Sequence, residues 1–337
     1  MRRLRASTVA LALALALAGC RGEGGGPASA PLSEPVRVGS MPFLSYGPLF
    51  VGVDAGIFAD HGLAVELVDL RANEATAALA RGDLDVVASY VSTGIFNLMA
   101  RGQRMRIVAD KGWVDPDACD ANALLARPEL VASGALAEVE GMRGRSIHYR
   151  PGSVEEYVLD RLLGSAGMKV ADVDGRSVPA ASRPQALASG ALDLAFWSEP
   201  YVSQVQATGA AVPWRGARDV EPGLQWAIVL YGASLLDERP AVGERFMAAY
   251  LEALRLYGEG KTPANVASLA HHTGLDPEVI RAACWLSMRA DGRIDTGSVL
   301  AFQRWAAGRG YLDRAVPVEG FWEPRFVAAA AAAGGGR

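Results

Sequence analysis

The chain has 337 residues, with 33 lysines and arginines against 37 aspartates and glutamates and a formal net charge of −4. It shows no basic stripe of the kind that nucleic-acid binding requires. Its three cysteines, Cys20, Cys119 and Cys284, show no C-x-x-C spacing, which excludes a zinc knuckle or a thioredoxin-like centre.

At the N-terminus Arg2, Arg3 and Arg5 precede an apolar run over residues 9–18, then Gly19 and Cys20. A basic start, a short apolar core and a small-residue site make a secretory signal. Ten apolar residues are too few to span a bilayer, which takes roughly 20. Leu17-Ala18-Gly19-Cys20 resembles the lipobox of bacterial lipoproteins, which implies removal of residues 1–19 and acylation of Cys20. That cleavage removes three arginines and no acid, leaving 30 basic and 37 acidic residues and a net charge of −7. An exported location permits a disulfide between Cys119 and Cys284; two buried free thiols fit the sequence equally well. Residues 20–35, rich in Gly, Pro, Ala and Ser, read as a flexible tether with an r.m.s. span of roughly 20 Å.

The rest of the chain, roughly 300 residues, suits two lobes of ordinary domain size. Residues 78–85, ALARGDLD, recur as residues 186–193, ALASGALD, with six of eight positions identical. Each copy reads as a helix end, a capping glycine and a short apolar strand. Upstream of each lie a strand, a loop, a helix and another strand: 36–39, 48–55 and 64–70 in the first, 146–149, 154–165 and 176–178 in the second. Alternating strands and helices predict two α/β lobes with mainly parallel sheet. Beyond them, 226–231 reads as a strand and 241–258, 263–271, 277–288 and 297–307 as helices that cover the first lobe. The expected lobes are 36–127 plus 226–327 and 128–225, joined by a two-strand hinge at 124–127 and 226–231. Residues 328–337, rich in Ala and Gly, are expected to fray.

Tyr46-Gly47-Pro48 through Gly56-Ile57-Phe58, followed by Gly62-Leu63-Ala64-Val65-Glu66, resembles the opening signature of the NMT1/THI5-like and SsuA-like periplasmic substrate-binding proteins of ABC importers. Residues 77–87 and 187–200, the second ending in Glu199-Pro200, resemble further elements of that family. The resemblance covers roughly residues 36–260. It implies a type II periplasmic-binding fold with ligand held in a cleft between the lobes. In open α/β sheets ligands sit beyond the carboxyl ends of the strands, which independently selects the loops 41–47, 89–93, 111–113, 149–153 and 197–201.

Within those loops Ser153 begins a Ser-x-x-Glu capping box whose helix end, with Gly152, could meet an anion, and Arg150 could add a charge. Trp197, Glu199 and Tyr201 supply an indole, a carboxylate and a phenol suited to a flat ligand. Ser45, Tyr46, Tyr90, Ser92 and Thr93 occupy the matching loops of the first lobe. His271 and His272, adjacent on a helix, are expected to diverge, and no metal site or cofactor is expected.

The expected function is that of an extracytoplasmic lipoprotein, at the periplasm or cell surface. It would be monomeric, anchored to the membrane by lipid, and would deliver a small molecule to an ABC permease and its ATPase. Family relatives suggest sulfonates, small anions or aromatic heterocycles. Loop aromatics outnumber loop cations, which tilts the reading toward a nitrogen heterocycle such as a pyrimidine or flavin precursor. Two alternatives remain open: the ligand-binding part of a sensor or lipid-trafficking system, and a THI5-type pyrimidine-synthesis enzyme. The second is disfavoured by the missing Cys-rich motif and by export. A G-x-S-x-G nucleophile elbow is also absent from the sequence.

Overall fold

The computed structural model describes residues 35–179 and 182–334. The signal segment, Cys20 and the tether as far as residue 34 lie outside the described residues. Ten strands form two five-stranded mixed sheets: β1 (Val36–Ser40), β2 (Val65–Asp69), β3 (Val86–Tyr90), β4 (Met105–Trp113), β5 (Asn122–Ala126), β6 (Ser146–His148), β7 (Asp174–Arg176), β8 (Leu194–Ser198), β9 (Val212–Gly216) and β10 (Gln225–Gly232). One sheet has the order β2-β1-β3-β10-β4 and the other β7-β6-β8-β5-β9. The two orders are equivalent. In each, the first three strands are parallel and the fourth, arriving from the other lobe, runs antiparallel to its neighbours.

The repeated Gly-x-Leu-Asp unit has a physical role that is the same in both lobes. Gly82 and Gly190 take the left-handed conformation (φ 82° and 76°) that ends a helix, and Leu84 and Leu192 enter the core. Asp85 then accepts the Arg37 N–H at 2.8 Å, and Asp193 accepts the Ser146 N–H at 3.0 Å. Each aspartate therefore fixes the first strand of its lobe against the third.

Every strand lies wholly within one sheet, so the chain crosses between lobes in segments 114–121 and 217–224 rather than within 124–127 and 226–231. These segments pair through Val114 N–H to Leu224 O (2.8 Å) and Gly223 N–H to Val114 O (2.7 Å). A disulfide joins Cys119 of the outward crossing to Cys284, 165 residues later.

The C-terminal helices Pro240–Gly258, Pro263–Thr273 and Thr296–Gly308 follow the sequence pattern, with the first two packed on the helix Gly47–Asp54. The helix expected over 277–288 stops at Ala282, because Ala283 is already extended (ψ 149°) and the chain then runs beside β4. Another correction concerns the tail: a helix spans Arg325–Gly334, with Phe326 and Val327 buried against Pro240–Gly258. Alanine has the highest helix propensity, and the two buried apolar residues give the run a face to pack. The strand expected at 176–178 sits two residues earlier, as β7.

Candidate ligand-binding site

The loops that follow β1, β3, β6 and β8 meet. Phe43 lies edge-on to Tyr90 of its own lobe (centroids 6.0 Å) and to Tyr201 of the other (5.3 Å). Arg150, after β6, stands over the Tyr90 ring at 5.2 Å. Strand direction thus places the predicted loops in one inter-lobe site.

On the first lobe, Lys111 projects from β4 and is only 1 % exposed. Its ammonium donates to Ser45 Oγ (2.9 Å) and lies over the rings of Tyr46 (3.9 Å) and Tyr90 (4.7 Å). Burial holds its pKa well below the usual lysine range, with Asp110 pulling the other way and Arg150 adding to the depression. Tyr46 spends its hydroxyl on the Ala88 carbonyl (2.7 Å), so it presents a ring face to Lys111. Burial pushes both phenols up, and they stay neutral.

On the second lobe, His148 is opposite Ala195 in the parallel β6–β8 register. Two residues further on, Arg150 stands at the turn after β6 and Trp197 near the end of β8. Arg150 donates to Glu155 through its side chain (2.7 Å) and its backbone N–H (3.1 Å), while its Nε makes no hydrogen bond among the described residues. Buried Trp197 Nε1 likewise has no partner. Both atoms can only donate. Trp197 stacks with Tyr201 (6.4 Å) and carries the Arg183 guanidinium over its face at 5.5 Å. Burial, opposed by Glu155 and aided by Arg150, lowers the Arg183 pKa to about 10, which leaves it charged at neutral pH. Burial and then Arg183 push the His148 imidazole down to about 4. Lys111, Arg150 and Arg183 therefore share the cleft with two carboxylates, Glu155 and Glu199, with Asp110 next to Lys111 in β4. The Asp110 carboxylate is taken up by the backbone N–H groups of Gly112 and Arg289 and by Gln225 Nε2.

Several predicted site residues are engaged elsewhere. Thr93 N–H donates to Gly152 O (2.9 Å) and Val154 N–H to Val91 O (3.1 Å), with Ser92 and Ser153 bridged between them. These residues join the two lobes to each other. The Ser153 hydroxyl accepts from Glu155 N–H (3.2 Å) and donates to Arg150 O (2.6 Å), so protein groups already occupy the helix end proposed for an anion. Glu156 takes the Gly152 N–H (2.6 Å), one residue short of the capping-box arrangement. Glu199 accepts from Ser203 N–H, Ser203 Oγ and Cys284 N–H, so its carboxylate joins the second lobe to the C-terminal segment. His271 and His272 do not diverge: their rings stack at 4.8 Å, because side-chain length at the last helical turn overcomes the angle between adjacent residues.

Phe43 and Lys111 lie in loops the sequence selects but are not singled out there, and His148, Glu155 and Arg183 fall outside the selected loops. Lys111 had a visible signal, being one of three lysines in a chain that otherwise uses arginine, and set in an apolar strand. Arg183 had none, since a Ser-Arg-Pro triplet reads as an ordinary turn.

The cavity between the lobes, lined by Leu44, Ser45, Tyr90, Asn122, Ser198 and Leu286 among others, measures about 10 Å³. That is room for no more than one water, so a solute enters only as the lobes part. A larger groove of about 780 Å³, between Tyr157 and Trp305, has most of its charges already paired: Arg161 with Glu221 and Asp160 with Arg309. It is open to solvent, and its one cation without an ion pair among the described residues, Arg304, is exposed, so we place the site in the inter-lobe cleft.

Comparisons with known proteins agree with this architecture. The fold resembles the ligand-binding component of an ABC-type import system from Staphylococcus aureus, solved with zinc bound (TM-score 0.74, 15 % identity, 88 % of this chain and 99 % of that one). It also resembles the periplasmic aliphatic sulphonate-binding protein SsuA of Escherichia coli (TM-score 0.70, 17 % identity, 87 % and 93 %). The desulfurization enzyme DszB shares it as well (TM-score 0.62, 14 % identity, 90 % and 100 %). At these identities the likeness is one of fold. No curated protein sequence matches the chain. The NMT1-like family pattern matches residues 29–272, about seven-tenths of the chain, and the protein belongs to the NMT1-like family.

Proposed function

We propose that this protein is the extracytoplasmic solute-binding component of an ABC importer and that its solute is a small anion with a flat or apolar body. The observation that carries this reading is the make-up of the inter-lobe cleft. One buried cation, Lys111, two half-buried ones, Arg150 and Arg183, and two unpaired buried N–H donors face it across a box of aromatic rings. Burying a cation is costly unless a partner anion compensates it, and a bound oxyanion supplies that partner. Phe43, Tyr90, Tyr201 and Trp197 give walls against which a ring or short alkyl body packs. The cation count moves the reading from a neutral nitrogen heterocycle to an anion.

The fold is shared by receptors and an enzyme, so the choice of a receptor rests on the site. Its phenols are held neutral, its lysine is tied to Ser45, and its one buried imidazole is pushed down to about 4. Lys111 beside the Ser45 hydroxyl is the pair there that could serve a nucleophile, and the receptor reading takes this lysine as the partner of the bound anion instead. The lipobox-like Cys20 supports a lipid anchor, and monomeric delivery to a permease and its ATPase completes the proposal. Solute binding shifts the population from open to closed lobes, and the backbone bridge at Ser92 and Ser153 closes with it.

The test is thermal unfolding of the chain processed before Cys20 against alkyl and aryl sulfonates, carboxylates, nitrate, pyrimidines and flavins. Ligand that binds only the native state raises its stability by mass action. Stabilisation by an anion supports the reading; stabilisation by neutral or cationic heterocycles alone would overturn it.

A further inference from the structure

On the outer face of the first lobe, far along the helix Gly47–Asp54 from Tyr46, three metal-competent side chains converge. We propose that Asp54, His271 and His272 form a surface site for a borderline divalent transition metal ion, with Zn²⁺ as the simplest occupant. Asp54 ends one helix, and the two histidines lie in the last turn of Pro263–Thr273. Their ligand atoms all lie within 4.8 Å of one another. His272 Nε2 stands 3.0 Å from Asp54 Oδ1. In a tetrahedral site with bonds of about 2.0–2.1 Å, neighbouring ligand atoms are roughly 3.3 Å apart. A metal ion can therefore replace the proton between His272 and Asp54 with little movement. The His271 ring, exposed and already stacked on His272, has only to swing by a fraction of its length.

One ligand is already positioned. His272 lies flat on Phe50 (centroids 4.5 Å, 9° between planes), which fixes the ring that a metal would use. Two imidazoles and one carboxylate suit Zn²⁺, Ni²⁺ or Cu²⁺ over Mg²⁺ or Ca²⁺, which take all-oxygen sets. Three protein ligands leave the fourth position to water. Because two of the chain's four histidines meet here, loss of this pair removes half of its imidazole nitrogen. A bound metal would tie the helix that begins beside Tyr46 to the C-terminal helices, bracing one wall of the cleft from behind.

The experiment uses the full chain without a histidine tag. Zn²⁺ is titrated in competition with a chromophoric chelator, and Cu²⁺ is examined by electron paramagnetic resonance. The proposal expects one equivalent of Zn²⁺, nitrogen hyperfine structure from two imidazoles, and at least tenfold weaker binding in Asp54→Asn and in His271→Ala. Since His271 is exposed, its substitution leaves the fold intact, which circular dichroism in chelator verifies. An equivalent of Zn²⁺ retained at the same affinity in His271→Ala, or a Cu²⁺ spectrum without nitrogen coupling, would overturn it.

Discussion

Replacing Lys111 with methionine should make the unliganded protein more stable and the receptor much weaker. Lysine and methionine are similar in length, so the change keeps the packing and removes the charge. Lys111 is 1 % exposed, and its compensations are one hydrogen bond to Ser45 and two tyrosine faces. The effective cost of a buried ion is several kcal/mol. A hydrogen bond to a charged group returns about 1.5–3 kcal/mol and a desolvated cation–π contact about 2 kcal/mol. The remainder is a net gain of about 1–3 kcal/mol on substitution, the range seen when buried charges give way to apolar groups. For anion binding the sign reverses. Losing a buried charge partner costs about 3 kcal/mol, or roughly a hundredfold in Kd. The pH dependence carries the same signature. Burial holds the folded Lys111 pKa below that of the unfolded chain, so between the two values the unfolded state binds more protons and stability rises with pH. That slope should vanish in the variant. Urea unfolding across pH and titration calorimetry measure these quantities. A variant that is less stable without ligand and binds anions as tightly as the parent would refute the reasoning.

Three further outcomes are expected. Replacing Cys119 and Cys284 by serine should cost about 2–5 kcal/mol, since closing a loop of 165 residues is worth about 5 kcal/mol by chain entropy; an unchanged urea midpoint would contradict this. Asp110 and His148 should give opposing pH slopes. Burial raises Asp110 to about 6, so stability falls as pH rises from about 4 to 6, by about 3 kcal/mol in all. Burial lowers His148 to about 4, so stability rises between about 4 and 6.5. Asp110→Asn should expose the rising slope and His148→Gln the falling one, and matching profiles in both variants would count against the assignment. Gly152→Ala should weaken ligand binding about tenfold. Its φ of 68° disfavours a side chain, and a Cβ there would lie 2.5 Å from Thr93 Oγ1 of the other lobe. Adding Thr93→Ala should restore part of the affinity, and no change in either variant would show that this bridge does not form on closure.

The two-lobe plan was legible because it rests on short-range rules. The Gly-x-Leu-Asp repeat encodes a helix stop, a core anchor and a strand pin, and it does so twice at the same place in the sheet. Strand ends then located the loops. Which side chains remain free within those loops was not legible. Ser92, Gly152 and Ser153 looked like ligand groups, and the structure uses them to join the lobes, a contact that no local pattern records. Glu199 is drawn away by Cys284, 85 residues later. Arg183 reaches the site only because the chain turns back over Trp197. The tail misled for another reason: a low-complexity Ala run suggests fraying, yet Phe326 and Val327 give it something to pack.

The central claim is that an anionic solute is held between the lobes by Lys111, Arg150 and Trp197. Diffraction from crystals grown with a bromine-labelled aryl sulfonate or carboxylate would locate the solute by anomalous scattering. The account predicts the bromine within the aromatic box of Phe43, Tyr90 and Tyr201, and the oxyanion within hydrogen-bond reach of Lys111 Nζ, Arg150 Nε and Trp197 Nε1. An anion seated in the groove between Tyr157 and Trp305, with the cleft closed and unchanged, would contradict it.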